Sequence, residues 1–174
     1  MIMRLLAGPR AIAVALLFVA GLGAPAVAQD DNRMMTRLEF GELRGIVEEL
    51  DFSVIEDGVD EDGDYYFEVE SDTGLRFNLY GARCDDVDPS KDCLDLNVVG
   101  TFSLTADTDV REVMETISYA FMKVYRSGDD VKIARYLVFD GGVGRENVKE
   151  NIRIFAEIGE MIWSDLVDAE VLAD

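Results

Sequence analysis

The chain has 174 residues, of which 36 are acidic and 16 are basic, and its net charge at pH 7 is −20. A surface this acidic repels nucleic acid and anionic lipid, so we expect no nucleic-acid partner. The chain also contains no histidine, which excludes imidazole-based catalytic triads, histidine-ligated zinc and the histidine pH switch. The simplest explanation of the charge is solubility, because acidic surfaces keep small proteins apart in solution.

The first 28 residues are predicted to be a cleavable signal peptide. Arg4 and Arg10 form a basic start, the run Ala11–Gly23 is apolar, and Ala26–Ala28 has the small-x-small pattern of a cleavage site. Cleavage there would leave residues 29–174, whose 14 basic and 36 acidic residues give a net charge of −22. A retained membrane anchor is the alternative, since the apolar stretch is just long enough to span a bilayer. We therefore expect an exported protein, periplasmic or secreted, with no membrane contact after cleavage.

The remaining chain has the size of one domain, and we assign residues 36–170 to it. Residues 29–35 are polar and are predicted to be flexible. Thr36 and Glu39 fit a capping box, which predicts a helix over Arg37–Leu50.

Alternation of apolar and polar residues predicts the central strands. Tyr65, Phe67 and Val69 are separated by single residues, which is the spacing of side chains on one face of a strand. The pattern recurs in two following segments, so we expect three strands that form a sheet with one apolar face. Together with a short segment before them, the predicted strands are Phe52–Glu56, Tyr65–Ser71, Leu75–Gly81 and Leu94–Ser103.

The second half of the chain is predicted to add a helix, a hairpin and a final helix. The middle helix covers about Val110–Tyr119, and the last helix covers about Glu146–Val167. Phe121–Arg126 has two interpretations, a continuation of the middle helix or the first strand of a hairpin. We favour the hairpin, because turn residues follow this segment and precede a strand at Val131–Phe139.

The predicted order of elements is α-β-β-β(β)-α-β-β-α. Strands joined by hairpins pair in an antiparallel manner. The predicted fold class is therefore α+β, a mainly antiparallel twisted sheet with helices packed on it.

The two cysteines are predicted to form one disulfide, Cys84–Cys93, because an exported protein folds in an oxidising compartment. The bridge would close a loop of about ten residues and stabilise the fold by roughly 2–3 kcal/mol. A redox-active pair is the alternative, but the spacing is not C-x-x-C, and the acidic loop would raise a thiol pKa rather than lower it.

Several segments of this pattern resemble one known family, the YbjN-like domain, which is described as a group of bacterial sensory transduction regulators. The similarity lies in the order and spacing of Tyr66–Ser71, Phe77–Gly81 and Cys93–Leu96, followed later by Gly142-Val143 and the amphipathic last helix. It spans most of residues 45–166.

The resemblance implies a fold similar to type III secretion chaperones, in which helices pack on a twisted antiparallel sheet. Such chaperones are non-enzymatic and usually dimeric, and they bind extended segments of partner proteins. We therefore expect a protein partner, with a homodimer as a further option, and we expect neither a cofactor nor catalytic residues.

The acidic turn before the central strands is the best candidate metal site. Asp60, Asp62 and Asp64 alternate around a glycine and offer the oxygen ligands that Ca²⁺ prefers. The turn does not fit an EF-hand, because Gly58 and Val69 stand at the first and twelfth loop positions, where acidic ligands belong. A solvated acidic turn is the simpler interpretation. A second acidic candidate surrounds the loop between the cysteines, with Asp85, Asp86, Asp88, Asp92 and Asp95.

Aromatic residues are frequent in the predicted strands. Because side chains alternate between the two faces of a sheet, some of these rings must point away from the helices. An exposed aromatic row on that side would bind a partner segment or a second copy of the chain. The aromatic residues in question are Tyr65, Tyr66, Phe67, Phe77, Tyr80, Tyr119, Phe121, Tyr125 and Tyr136.

These patterns predict an exported, non-enzymatic interaction domain that acts as a regulator or as a chaperone-like binder of a protein partner. One alternative is a periplasmic cation-responsive or small-ligand-binding module that uses the acidic turns. A further alternative is a small carbohydrate-active enzyme with two catalytic carboxylates.

Overall fold

The structure, a computed structural model, describes residues 33–61, 63–84, 92–117 and 119–173. The predicted signal peptide, residues 1–28, lies outside these ranges, as do Asp62 and the loop acids Asp85, Asp86 and Asp88. No helix within the described ranges is long and apolar enough to cross a membrane.

Within these ranges the elements follow the predicted order, which confirms the α+β class. Two strands of two residues each, which the sequence did not predict, are added. In chain order the elements are β1 (Met34–Met35), α1 (Phe40–Glu49), β2 (Ser53–Val59), β3 (Tyr65–Glu70), β4 (Arg76–Cys84), β5 (Cys93–Ser103), α2 (Val110–Thr116), β6 (Lys123–Ser127), β7 (Asp130–Val138), β8 (Val143–Gly144) and α3 (Arg145–Asp168).

Six strands form one antiparallel sheet in the order β2-β3-β4-β5-β7-β6. After β5 the chain leaves the sheet to form α2 and returns at the far edge as β6, so that β7 lies between β5 and β6. The alternation predicted for β3 is confirmed, since Tyr65, Phe67 and Val69 are all fully buried. Leu79 pairs with Val98 and continues this inward-facing row into β5.

All three helices contribute to one apolar core with the inward-facing strand residues, so they pack on the same side of the sheet. The longest helix is α3, and its stripe at Val148, Ile152 and Phe155 is fully buried. A Cβ atom at Gly159 would lie 2.7 Å from Leu75. The absence of a side chain at this position therefore lets α3 lie close to the sheet.

An ion cluster joins α1 to the start of α3. Arg145 is 5% exposed, and its guanidinium donates to Oε1 of Glu42 at 2.6 Å and to both carboxylate oxygens of Glu49 at 2.7 and 2.8 Å. The ammonium of Lys149 also lies 3.2 Å from Glu49. Because a buried charge is costly unless it is paired, this cluster favours one arrangement of the two helices.

The first helix begins later than predicted. It starts at Phe40, and Glu39 at the N-cap makes no side-chain capping bond, so the predicted capping box with Thr36 is wrong. The physical reason is a non-local contact. Leu38 exchanges two backbone hydrogen bonds with Cys93, at 2.8 and 2.9 Å, and this pairing keeps the chain extended up to the helix.

The end of the segment predicted to be flexible is also ordered by a non-local contact. Met34 and Met35 pair with Gly144 and Val143 of β8. Met35 is 3% exposed, and burial of its side chain is a physical reason for the order, because it removes apolar surface from water.

The middle helix ends at Thr116, earlier than predicted, and the hairpin interpretation of Phe121–Arg126 is confirmed. Phe121 has a φ of 68°, which a right-handed helix does not accommodate. The chain then forms β6 from Lys123 to Ser127, which pairs with β7.

Candidate interaction surface

The side of the sheet opposite the helices is the candidate functional site. Among the described residues no helix covers it, because the buried stripes of all three helices belong to the core on the other side. We call this side the open face. The strand registers and the alternation of side chains assign to it Glu56, Gly58, Tyr66, Glu68, Glu70, Arg76, Asn78, Tyr80, Asp95, Asn97, Val99, Thr101, Lys123, Tyr125, Lys132, Ala134, Tyr136 and Val138.

Three tyrosines form a row across the open face. Tyr66 is the cross-strand partner of Tyr80, Tyr80 of Asn97, and Asn97 of Tyr136. The rings of Tyr66 and Tyr80 have centroids 6.4 Å apart, and Tyr136 is 55% exposed. The row predicted to point away from the helices is therefore present. Of the other aromatic residues, Tyr125 also lies on the open face, whereas Tyr65, Phe67 and Phe77 are in the core and Tyr119 and Phe121 lie outside the strands.

Two hydroxyls of this row, those of Tyr66 and Tyr136, donate hydrogen bonds to carboxylates. Tyr66 donates to Oε1 of Glu56 at 2.7 Å, and this bond raises the pKa of Tyr66. Burial is the main cause of the raised pKa of Tyr80 and also of Tyr136. Since an unperturbed phenol already has a pKa near 10, all three hydroxyls stay protonated at neutral pH.

Asp95 is a fully buried carboxylate within the open face. Arg83 donates to both of its oxygens, and the hydroxyl of Tyr136 donates to one of them. The bonds from Arg83 are the main reason that the pKa of Asp95 lies below its ordinary value. Arg83 thus already balances the charge of Asp95, whereas the second acidic candidate as a whole stays a prediction, because Asp85, Asp86 and Asp88 lie outside the described residues.

Charge is divided across the open face. Glu56, Glu68 and Glu70 lie on β2 and β3, at one edge of the sheet, while Lys132 and Lys123 lie on β7 and β6, at the other edge. Glu70 is paired with a neighbouring arginine at 2.7 Å. Neither lysine forms an ion pair with any residue that the structure describes. The glutamates thus lie on the β2 and β3 side of the face and the lysines on the β7 and β6 side, and the tyrosine row runs across the strands from one side to the other.

The predicted disulfide joins β4 to β5 at one end of this sheet. Cys84 and Cys93 are cross-strand partners and are bonded to each other. Cys93 is fully buried, and its backbone also pairs with Leu38. Cys93 therefore contacts two parts of the chain, β4 through the disulfide and the segment before α1 through its backbone.

The acidic turn between β2 and β3 is closed by its own hydrogen bonds. The backbone N–H of Asp60 donates to the carbonyl of Asp64 at 2.8 Å, and the N–H of Asp64 donates to Oδ1 of Asp60 at 2.9 Å. Within the ranges that the structure covers, no group of three or more acidic or cysteine residues could hold a metal ion. Because Asp62 lies outside those ranges, the metal site at Asp60, Asp62 and Asp64 stays a prediction.

A cleft of about 420 Å³ lies between α2 and the C-terminal end of α3. The sequence did not predict it, because its walls come from two segments nearly 50 residues apart. The hydroxyl of Tyr119 donates to Oδ2 of Asp165 at 3.3 Å across this cleft. The lining combines four carboxylates with apolar side chains: Asp107, Asp109, Glu112 and Asp165 with Val113, Ile117, Leu166 and Val171.

A scan against protein-family models finds no match for the chain, and a search of curated proteins finds none either. Among solved structures, the chain is similar to that of E. coli YbjN, described as "a putative transcription regulator". The match has a TM-score of 0.56 at 13% sequence identity, and it covers 81% of this chain and 99% of YbjN. The chain therefore has the YbjN-like fold that the sequence resemblance implied.

Proposed function

We propose that the chain is an exported, non-enzymatic interaction domain of YbjN type, which binds a protein partner through the open face and acts as a regulator or chaperone-like binder. The observation that supports this function is the row of Tyr66, Tyr80 and Tyr136 on a sheet face that no described helix covers. Tyrosine is enriched at protein interfaces, because its ring buries a large area while its hydroxyl still forms hydrogen bonds.

The ionisable groups of the open face suit binding better than catalysis. A general acid or base works best when its pKa lies near the working pH. On this face the tyrosine pKa values are raised and the pKa of Asp95 is lowered, so both kinds of group move away from neutrality. These groups are therefore suited to hold a fixed charge or to donate a hydrogen bond.

The test is capture of a partner from a periplasmic extract with the oxidised chain, residues 29–174, as bait. We expect a specific protein with the wild type and at least about tenfold less of it with Tyr66→Ala/Tyr80→Ala, since aromatic hot-spot residues contribute about 2 kcal/mol or more to binding. Met161→Ala is the matched control, because Met161 is an exposed apolar residue on the helical side. A partner recovered equally with both variants would contradict binding at the open face.

A second candidate function is small-ligand binding in the cleft between α2 and α3. An apolar floor with carboxylates around it suits an organic cation with a hydrocarbon body. Thermal melting tests this candidate. The midpoint is measured with a diamine such as putrescine, with millimolar Ca²⁺, and in a control of matched ionic strength. We expect the diamine to raise the midpoint of the wild type and to have less effect on Asp165→Asn. A midpoint that stays at its ionic-strength control in both ligands would rule this candidate out.

A further inference from the structure

We propose that Arg135 is the centre of a binding site for a small organic anion, namely a monocarboxylate with an apolar or aromatic body. The side chain of Arg135 lies on the helical side of the sheet, away from the open face, and it does not line the cleft between α2 and α3. The inference therefore goes beyond the proposed function and does not depend on it.

Arg135 lies on β7 and points toward the helices. Its strand neighbours on that side, Ile133 and Leu137, are buried, and so is its cross-strand partner Val98. The Nε of Arg135 donates to Oδ1 of Asn151, a residue of α3, at 2.6 Å. The guanidinium is therefore positioned between the sheet and the longest helix.

The charge of Arg135 is not balanced by any residue that the structure describes. Every other described arginine forms an ion pair with a carboxylate, and Arg135 forms none. Its Nη1 is buried and has no hydrogen-bond partner among the same residues. Burial lowers the pKa of Arg135, which is the direction expected for a cation that no carboxylate stabilises. Because an unpaired buried donor and an unpaired cation are both costly, this arrangement suits an anion from outside the chain.

The neighbours of Arg135 orient its side chain without neutralising it. The residue of α3 that accepts from Nε is an asparagine, although the chain has 36 acidic residues and aspartate has nearly the same shape. The other charged residues of β7, Asp130 and Lys132, alternate to the opposite face of the sheet. The amide of Asn151 thus fixes the guanidinium and leaves its positive charge available.

An exposed aromatic ring forms the outer side of the site. The Cζ of Arg135 lies 5.8 Å from the centroid of the Phe121 ring, and Phe121 is 84% exposed. The φ of Phe121 is 68°, in the left-handed region that a bulky residue rarely adopts. A strained backbone that presents a ring to solvent gains little for the fold, and such strain is often found at ligand sites. Since Arg135 is only half-buried, a ligand can reach its guanidinium beside this ring.

These groups determine the chemical class of the ligand. A guanidinium binds a carboxylate through two parallel N–H bonds, and one cation balances one negative charge. Inorganic phosphate carries more than one negative charge at neutral pH, and the excess would be unfavourable in a chain with a net charge of −20. The ring of Phe121 offers apolar surface next to the guanidinium, which suits a hydrocarbon or aromatic body. A monocarboxylate with such a body therefore fits better than phosphate.

The test is calorimetric titration of the oxidised chain, residues 29–174, with benzoate at constant ionic strength. Benzamide, which has the same ring without the charge, and inorganic phosphate are titrated in parallel. We expect benzoate to bind at least about tenfold more tightly than either, because a charged hydrogen-bonded pair forms only with the carboxylate and excess charge is avoided. Arg135→Met should raise the Kd for benzoate at least about tenfold. Arg153→Met is the matched control and should leave this Kd unchanged, because Arg153 is exposed and already paired.

Asn151→Asp tests the same site while Arg135 stays in place. The new carboxylate would lie where Oδ1 of Asn151 now accepts from Nε, so the charge of Arg135 would be balanced from within the chain. We expect this variant also to raise the Kd for benzoate at least about tenfold. It keeps the inference testable if Arg135→Met does not fold.

The absence of both binding heat and a rise in the thermal midpoint with about 50 mM benzoate would overturn the inference. Equal binding of benzoate by the wild type, Arg135→Met and Asn151→Asp would overturn it as well, because the benzoate would then bind elsewhere. Phosphate or benzamide binding as tightly as benzoate would overturn the assignment of a monocarboxylate.

Discussion

The ion cluster of Arg145 with Glu42 and Glu49, which joins α1 to α3, gives the sharpest test of what stabilises this fold. Arg145→Met keeps a long apolar side chain but removes the charge and the five N–H donors of the guanidinium. Glu42 and Glu49 would then face each other across the joint without their shared cation. We expect the domain to stay folded and to lose stability.

The size of the loss follows from the surroundings of the two carboxylates. Breaking a fully buried ion pair costs about 3–5 kcal/mol. Here the side chains of Glu42 and Glu49 remain 19% and 26% exposed, and each keeps a second cation, Arg33 at 2.5 Å and Lys149 at 3.2 Å. We therefore expect a loss of about 2 kcal/mol in the free energy of unfolding. For a domain of this size the loss lowers Tm by roughly 6–10 °C.

Arg153→Met is the matched control, because Arg153 also lies on α3 and also contacts two carboxylates, Glu150 and Glu157. These groups are exposed, so we expect this variant to unfold at the same denaturant concentration as the wild type. The assay is equilibrium unfolding in urea, followed by circular dichroism. If the two variants shift the midpoint equally, burial of Arg145 does not decide its contribution and the reasoning is wrong.

Gly81→Ala should destabilise the domain by about 1–3 kcal/mol, because the new Cβ would lie 2.7 Å from the Sγ of Cys93 and force the strands apart. Urea unfolding measures this loss of stability, and a midpoint equal to that of the wild type would contradict the close packing. Cys84→Ser/Cys93→Ser should lower the free energy of unfolding by roughly 2–3 kcal/mol relative to the oxidised wild type. Adding a reductant to the wild type should lower its free energy of unfolding to the value of the double variant. The pKa of Glu49 lies below its ordinary 4.5, chiefly through its hydrogen bonds with Arg145. This pairing stabilises the fold above pH 4.5 and is lost as the pH falls through the lowered pKa, so Arg145→Met should show a weaker loss of stability in acid titrations.

The strands could be predicted because their signal is local. A half-buried strand needs an apolar residue at every second position, and Tyr65, Phe67 and Val69 meet this need without reference to the rest of the chain. The hairpin before β7 was predicted for a similar reason, since its turn residues are adjacent in sequence. Element boundaries that depend only on neighbours therefore agree with the structure within a few residues.

The errors occurred where distant residues decide the local structure. Thr36 and Glu39 have the right spacing for a capping box, yet Leu38 pairs with Cys93 and holds the chain extended instead. Likewise Met35 is ordered by β8, more than 100 residues later. No pattern within one segment contains these contacts, so the path of the chain before α1 could not be predicted from the sequence.

The candidate site was predictable in kind but not in arrangement. Alternation requires that some aromatic residues leave the core, and it identifies Tyr66 as one of them. The division of charge could not be predicted from the sequence, because Glu56 and Lys123 share a row only through five successive strand pairings. The order β5-β7-β6, which brings the lysines to the far edge, is a property of the folded sheet.

The register of β4 on β5 connects the stability of the domain to its surface. A slip of one residue would turn every side chain of a strand to the opposite face and would bury Tyr80 in place of Leu79. The disulfide at Cys84 and Cys93 opposes such a slip, because it bonds two residues that are cross-strand partners only in the native register. The close contact at Gly81 acts at the same end of the same strand. The elements that stabilise β4 therefore also keep the tyrosines of the open face in one cross-strand row.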